Sequence, residues 1–171
     1  MDSAKTTSTI TPSPSKPDEI ERDHLAFALH YGQRYGHRLC RFYGRVSGLL
    51  RLGEIVMGTA AFGAFLAGHP GMTAYSGLAM AIISGINITF DPAAKAKDAA
   101  ISQADFGRAL IDVEGLPTTE LRRRVRDLQA QPRPELESLR RPVWRDVVLQ
   151  LGRPAPMEKF GPLECVMNAI A

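Results

Sequence analysis

The chain has 171 residues, 44% of them hydrophobic and 23% charged, with 21 basic and 18 acidic side chains and a formal net charge of +3. That length suits one compact domain, and so small a positive balance does not by itself mark a nucleic-acid-binding protein. Two cysteines, Cys40 and Cys165, lie far apart without metal-ligand spacing, which excludes a disulfide framework and a zinc site of the paired-cysteine kind.

Residues 1–17 are mostly Ser, Thr, Pro and Lys. They carry too little apolar surface to offset the entropy of ordering, so a disordered tail is expected. A helix start follows: Ser15 can cap, Pro17 is tolerated in the first turn, and Asp18 faces the positive end of the helix dipole.

Residues 18–48 then form an amphipathic basic helix. Ala28, Tyr31, Tyr35, Leu39, Phe42, Val46 and Leu49 recur at intervals of three and four, and Arg34, Arg38, Arg41 and Arg45 recur beside them. Apolar and arginine stripes side by side suit a helix on an anionic membrane surface, with these arginines and Arg51 as candidate lipid-headgroup ligands. The alternative is a solvated basic face on a packed helix.

Between Arg51 and Asp91 the 39 residues carry one formal charge, Glu54, and the run is broken by Gly68-His69-Pro70-Gly71. Two spans, about 49–67 and 72–90, each cover roughly 28 Å at 1.5 Å per residue, close to a bilayer core. Joined by so short a turn they predict a transmembrane helical hairpin, because irregular backbone is not tolerated in hydrocarbon. The arginine-rich flank and uncharged turn are expected to put both termini in the cytoplasm and His69-Pro70 outside. No signal peptide is expected, since the first apolar run begins about fifty residues in. A soluble all-α protein with the hairpin as its core is the competing architecture.

Neither span is strongly hydrophobic, so insertion is expected to depend on helix contacts. Ala60, Ala64 and Gly68 on the first span, and Gly77, Ala81 and Gly85 on the second, form small-xxx-small ridges through which the helices are expected to pack. Arg51, three residues from Glu54, is expected to neutralise it in part. Glu54 lies about fifteen residues before the turn and Asn87 about seventeen after it, which sets the two at matched depth. An ionisable group inside a span marks a candidate site. In an assembly of hairpins Glu54 and Asn87 would ring the inner mouth of a pore. In a single hairpin Asn87 would bond across to the other helix, with Glu54 held by Arg51.

Asp91-Pro92 restarts the chain as a cytoplasmic helix over 91–115, with Ala96, Ala99, Gln103, Phe106, Leu110 and Val113 on one face. The C-terminal region 116–171 reads as helical. One helix spans about 118–131 with Leu121, Val125 and Leu128 among arginines. A second ends at Leu151 and bends at Pro142. After the linker 153–156 a short apolar helix passes through Leu163, Val166 and Ile170. No strand pattern competes, so the fold class is an all-α membrane protein, a two-span hairpin flanked by cytoplasmic amphipathic helices.

No phosphate-binding loop, nucleophile elbow or His-Glu helix motif is present, so no enzyme, catalytic residue, metal or cofactor is expected. His24, His30 and His37 are spaced by six and seven, which does not bring them to one point on a helix.

The segments Arg34-Tyr35-Gly36-His37-Arg38 through Arg51, the hairpin, Asn87-Ile88-Thr89-Phe90-Asp91-Pro92-Ala93-Ala94-Lys95-Ala96, and the helix to Glu114 together resemble the SLATT family. These are two-transmembrane bacterial proteins found with nucleotide-sensing conflict systems. Leu128-Gln129-Ala130-Gln131-Pro132-Arg133-Pro134 resembles the tail of similar prophage membrane proteins. The spans differ from the family in being Gly-rich rather than Leu-rich. The resemblance implies a membrane effector that forms pores or alters permeability in phage defence or in a prophage. Two other roles fit the pattern: a holin-like lysis or superinfection-exclusion protein, and a membrane-anchored scaffold recruiting a cytoplasmic partner through 118–151. The expected partners are the lipid bilayer and further copies of the chain, with no nucleic acid.

Overall fold

A computed structural model describes residues 16–154 and 160–171, and every regular element among them is helical. The elements are α1 (Lys16–Leu66), α2 (Pro70–Phe90), α3 (Pro92–Ile111), α4 (Thr118–Ala130), α5 (Glu137–Gln150) and α6 (Pro162–Ile170), with a 3-10 turn at Asp112–Glu114 after α3. The tail expected over 1–17 lies outside the described residues up to residue 15, as does Ser15 as a cap, while Lys16 and Pro17 already belong to α1. Half of the linker 153–156, with the residues that follow it to 159, also lies outside them.

The basic helix and the first apolar span are one element of 51 residues. Nothing between 48 and 49 breaks it, since the next positive φ comes at Gly68, +70°. There the chain ends α1 with two bonds, Gly68 N–H to Phe65 O at 3.1 Å and His69 N–H to Ala64 O at 2.9 Å. A residue with a Cβ is strained in this left-handed conformation, so the glycine sets the turn. Pro70 follows as the first residue of α2, where its missing N–H costs nothing.

α2 and α3 return alongside α1 as a second strut with one joint. At that joint Asp91 has φ +37° and ψ 63°, also left-handed. Its N–H closes α2 on Asn87 O at 3.0 Å, and its carboxylate caps α3 by accepting from Ala94 N–H at 3.1 Å. Pro92, with no N–H to offer the preceding turn, fits the break.

Both hydrophobic clusters lie at the base of this long pair. One cluster joins Leu29 of α1, Phe106 and Ala109 of α3, and Leu121, Val125 and Leu128 of α4. A second joins Tyr35, Leu39 and Tyr43 to Ala99, to Leu139, Val143 and Val147 of α5, and to the C-terminal Ala171. Each such buried aliphatic side chain contributes about 1.5–3 kcal/mol against exposure. Gly32 permits the closest approach: a Cβ there would meet the Phe106 ring at 2.5 Å.

This packing corrects the membrane-surface reading of the basic helix. Tyr35 and Leu39, the middle of the expected lipid-facing stripe, are buried under α3 and α5, and only Leu49 at its end is well exposed. The stripe is a core face, so the packed-helix alternative describes it. The hairpin above has no core of its own. Phe62, Phe65, Tyr75, Leu78 and Ile88 are between 61% and 81% exposed. Two helices are thus long and apolar enough to cross a membrane, and their apolar windows are almost entirely unburied.

Candidate functional site

The hairpin brings Glu54 and Asn87 together as the turn-to-residue spacing predicts. Asn87 Nδ2 donates to Glu54 Oε1 at 3.3 Å, and Ser84 Oγ donates to the same oxygen at 3.2 Å. Sequence reasoning missed Ser84. The signal was present, because residues 84 and 87 are three apart on α2 and so share a face. Glu54, Ser84 and Asn87 are all half-buried, on the inner face of the hairpin. Oε2 of Glu54 has no hydrogen-bond partner among the described residues.

Arg51 does not join this cluster. It is exposed, and no ion pair links it to Glu54, which corrects the expected neutralisation. The amide and hydroxyl of α2 take that place, at the closer range that tight helix packing imposes.

The packing surface of the hairpin also differs from expectation. The close approaches are Gly53 to Ile83, where an added Cβ would lie 3.2 Å from Cδ1, and Gly58 to the Met80 sulfur at 3.8 Å. Ala64 is buried, but Ala60, Gly68, Gly77, Ala81 and Gly85 are exposed, and nothing lies within 4 Å of a Cβ at Gly77 or Gly85. Helical phase explains this. Ser76, Met80, Ile83 and Asn87 lie near one line along α2, and Gly77, Ala81 and Gly85 drift at about 100° per residue onto the opposite side. The second ridge therefore faces outward.

Three of the five candidate headgroup arginines bind the protein's own oxygens. Arg38 donates to Asp146 and to Asn168 Oδ1, and its side chain is only 16% exposed. Arg34 Nε lies 4.0 Å from the same Asp146 carboxylate. Arg45 donates to the carbonyls of Ala169 and Ile170, at the negative end of the α6 dipole. These contacts hold α5 and α6 on α1, a role that spacing along α1 alone does not reveal. Arg41 and Arg51 are exposed.

Where the hairpin meets the bundle, Lys95 Nζ sits 3.7 Å from the Phe90 ring centroid and 5.9 Å from that of Tyr43. Burial pushes the Tyr43 hydroxyl above its usual range. Deeper in the bundle Tyr35 is raised by the same cause, against the opposing effect of its bond to Leu136. Its hydroxyl accepts from Leu136 N–H at 2.7 Å and donates to Leu136 O at 3.1 Å. His30 and His37 line one polar depression with Gln33, Arg34, Gln103 and Gln150, because seven residues return to the same face two turns on, and His24 is not part of it.

No protein-family model matches this chain, and neither a curated protein nor a solved structure does.

Proposed function

We propose that this chain is an integral protein of the bacterial inner membrane, inserted as a two-span hairpin with both termini cytoplasmic, that self-associates and alters membrane permeability. The observation that carries the reading is an apolar hairpin with almost no buried surface, enclosing one carboxylate toward its bundle end. In water so large an apolar face would drive aggregation, whereas in a bilayer it needs no cover. The outward Gly77, Ala81, Gly85 ridge supports close approach of a second hairpin, since association in lipid relies on backbone proximity. The unpartnered Oε2 of Glu54 supplies negative charge that a cation path would use. The resemblance to the SLATT family adds the setting, a membrane effector in phage defence or a prophage.

Fractionation and a membrane-potential dye test this together. The chain is expected in the detergent-extracted fraction, and its induction is expected to depolarise cells. Glu54→Gln or Ala81→Leu should abolish that depolarisation while leaving the protein in the membrane. Recovery in the soluble fraction without detergent would overturn the membrane reading.

A second reading has its own support. Glu54 is already bonded by two donors of its own chain, so a single hairpin satisfies much of its polar content. That favours a passive anchor, with α4 and α5 recruiting a cytoplasmic protein. Unchanged potential together with partner capture lost on changing residues 118–151 would select it.

A further inference from the structure

Four aromatic side chains from three helices surround an open cavity in the bundle: Phe27 and Tyr31 of α1, Phe106 of α3 and Trp144 of α5. Gln129 and Arg133 stand at its rim, and its volume is about 240 Å³. No ring contact joins Trp144 to the other three, and it is 41% exposed, unusual for the largest apolar side chain of a packed helix. Phe106 is fixed by its seat over Gly32. The aromatic walls are therefore held apart by the fold, leaving a slot between them.

Arg133 is the charged side chain that lines this slot. The Arg133 guanidinium lies 5.3 Å from the Phe106 centroid and has no carboxylate within ion-pair range among the described residues. Arg153, 5.6 Å from the Phe27 centroid, is ion-paired with Asp23 and lies outside the lining. The Tyr31 hydroxyl makes no hydrogen bond among the described residues. Burial and the neighbouring Tyr35 push it up to about 12, so at neutral pH it remains an O–H donor. Gln129 adds an amide. A cationic ligand would meet the unpaired Arg133 here, and an aliphatic one would forgo the ring faces. A cavity of about 150 Å³ holds a benzene ring, while pockets for drug-sized ligands begin near 300 Å³. The present volume therefore suits one or two fused rings.

We infer that this cavity binds a small planar aromatic carboxylate, its ring stacked between Trp144 and Tyr31 above the buried Phe106 and its acid group on Arg133. Aromatic stacking supplies shape selectivity and the charge-assisted bond to arginine supplies orientation. The site belongs to the bundle and does not depend on the function proposed for the hairpin.

Trp144 is the only tryptophan in the chain, so 5-fluorotryptophan labelling of the full-length protein gives one ¹⁹F resonance at the cavity wall. Titration with 2-naphthoate should shift that line saturably, and 2-naphthylmethanol, its neutral counterpart, should bind at least tenfold more weakly. Arg133→Gln should remove that preference, and Ala28→Leu, which fills the cavity floor and leaves every polar group in place, should abolish the shift. Circular dichroism of each variant checks that the bundle remains folded. The absence of a saturable shift would overturn the inference. So would equal affinity for acid and alcohol that Arg133→Gln leaves unchanged, since that is partition into an apolar surface.

Discussion

Asn87 reaches across the hairpin to donate to the Glu54 carboxylate at 3.3 Å, a contact between residues 33 apart in sequence. With the Ser84 hydroxyl on the same oxygen, it is the polar fastener of two helices whose other close approaches run through Gly53 and Gly58. In a bilayer such bonds contribute about 0.6 kcal/mol on average. A double-mutant cycle of Glu54→Gln and Asn87→Leu, read by unfolding in mixed micelles, should therefore give a coupling of roughly 0.5–1.5 kcal/mol. A coupling indistinguishable from zero would mean that the contact does not hold the hairpin.

Arg38 bonds both Asp146 of α5 and Asn168 of α6 from a largely covered position. Arg38→Met should destabilise the bundle by about 1–3 kcal/mol, because it leaves a half-buried carboxylate with only the distant Arg34. Arg38→Lys should recover part of that loss, since an ammonium lacks the planar fork that serves two acceptors. Hydrogen exchange along α6 should rise in both variants, more in the first.

Gly32→Ala should destabilise by about 1–3 kcal/mol through overpacking, because the new methyl would lie 2.5 Å from carbons of the Phe106 ring. A flexible neighbour would move aside, but a ring fixed between α1 and α4 does not. Gly32→Ala combined with Phe106→Leu should recover stability relative to Gly32→Ala alone, and chemical denaturation of the two measures the difference.

Tyr31 is raised from 10.0 to about 12, first by desolvation and then by Tyr35. Its folded-state value lies above the unfolded one, so the unfolded chain releases the proton first as pH rises. Its contribution to stability is therefore fully present below about pH 10 and is lost as pH climbs toward 12. Tyr31→Phe should flatten the stability profile across that window. Tyrosinate absorbance near 295 nm should show one slow-titrating group fewer in the variant.

Periodicity made the helices legible. Leu121, Val125 and Leu128 were readable as a buried face from their spacing, and Gly68-His69-Pro70 as a turn from its backbone chemistry. Glu54 and Asn87 were readable as neighbours because counting outward from a tight turn fixes depth in an antiparallel pair. Counting does not fix rotation about the helix axis. Gly77, Ala81 and Gly85 therefore looked like the hairpin seam, whereas Gly53 and Gly58 occupy it. The arginine stripe failed for another reason. Asp146 and Asn168 stand 108 and 130 residues beyond Arg38, and no local pattern encodes such a pairing.

Asp91 gives the two legs of this molecule unequal stiffness. The outgoing leg is uninterrupted over 51 residues, while the returning leg bends at a single left-handed residue. The part of α1 below the hairpin, residues 16–48, is about 50 Å long at 1.5 Å per residue. A helix seated in lipid adjusts to thinner or thicker membranes by tilting. A change of only 10° in that tilt would swing the foot of α1 sideways by about 9 Å over that length, with the Asp91 joint absorbing the mismatch on the other leg. Inserted as proposed, the chain would carry its bundle on one stiff and one jointed leg, so that a change of tilt would move the bundle.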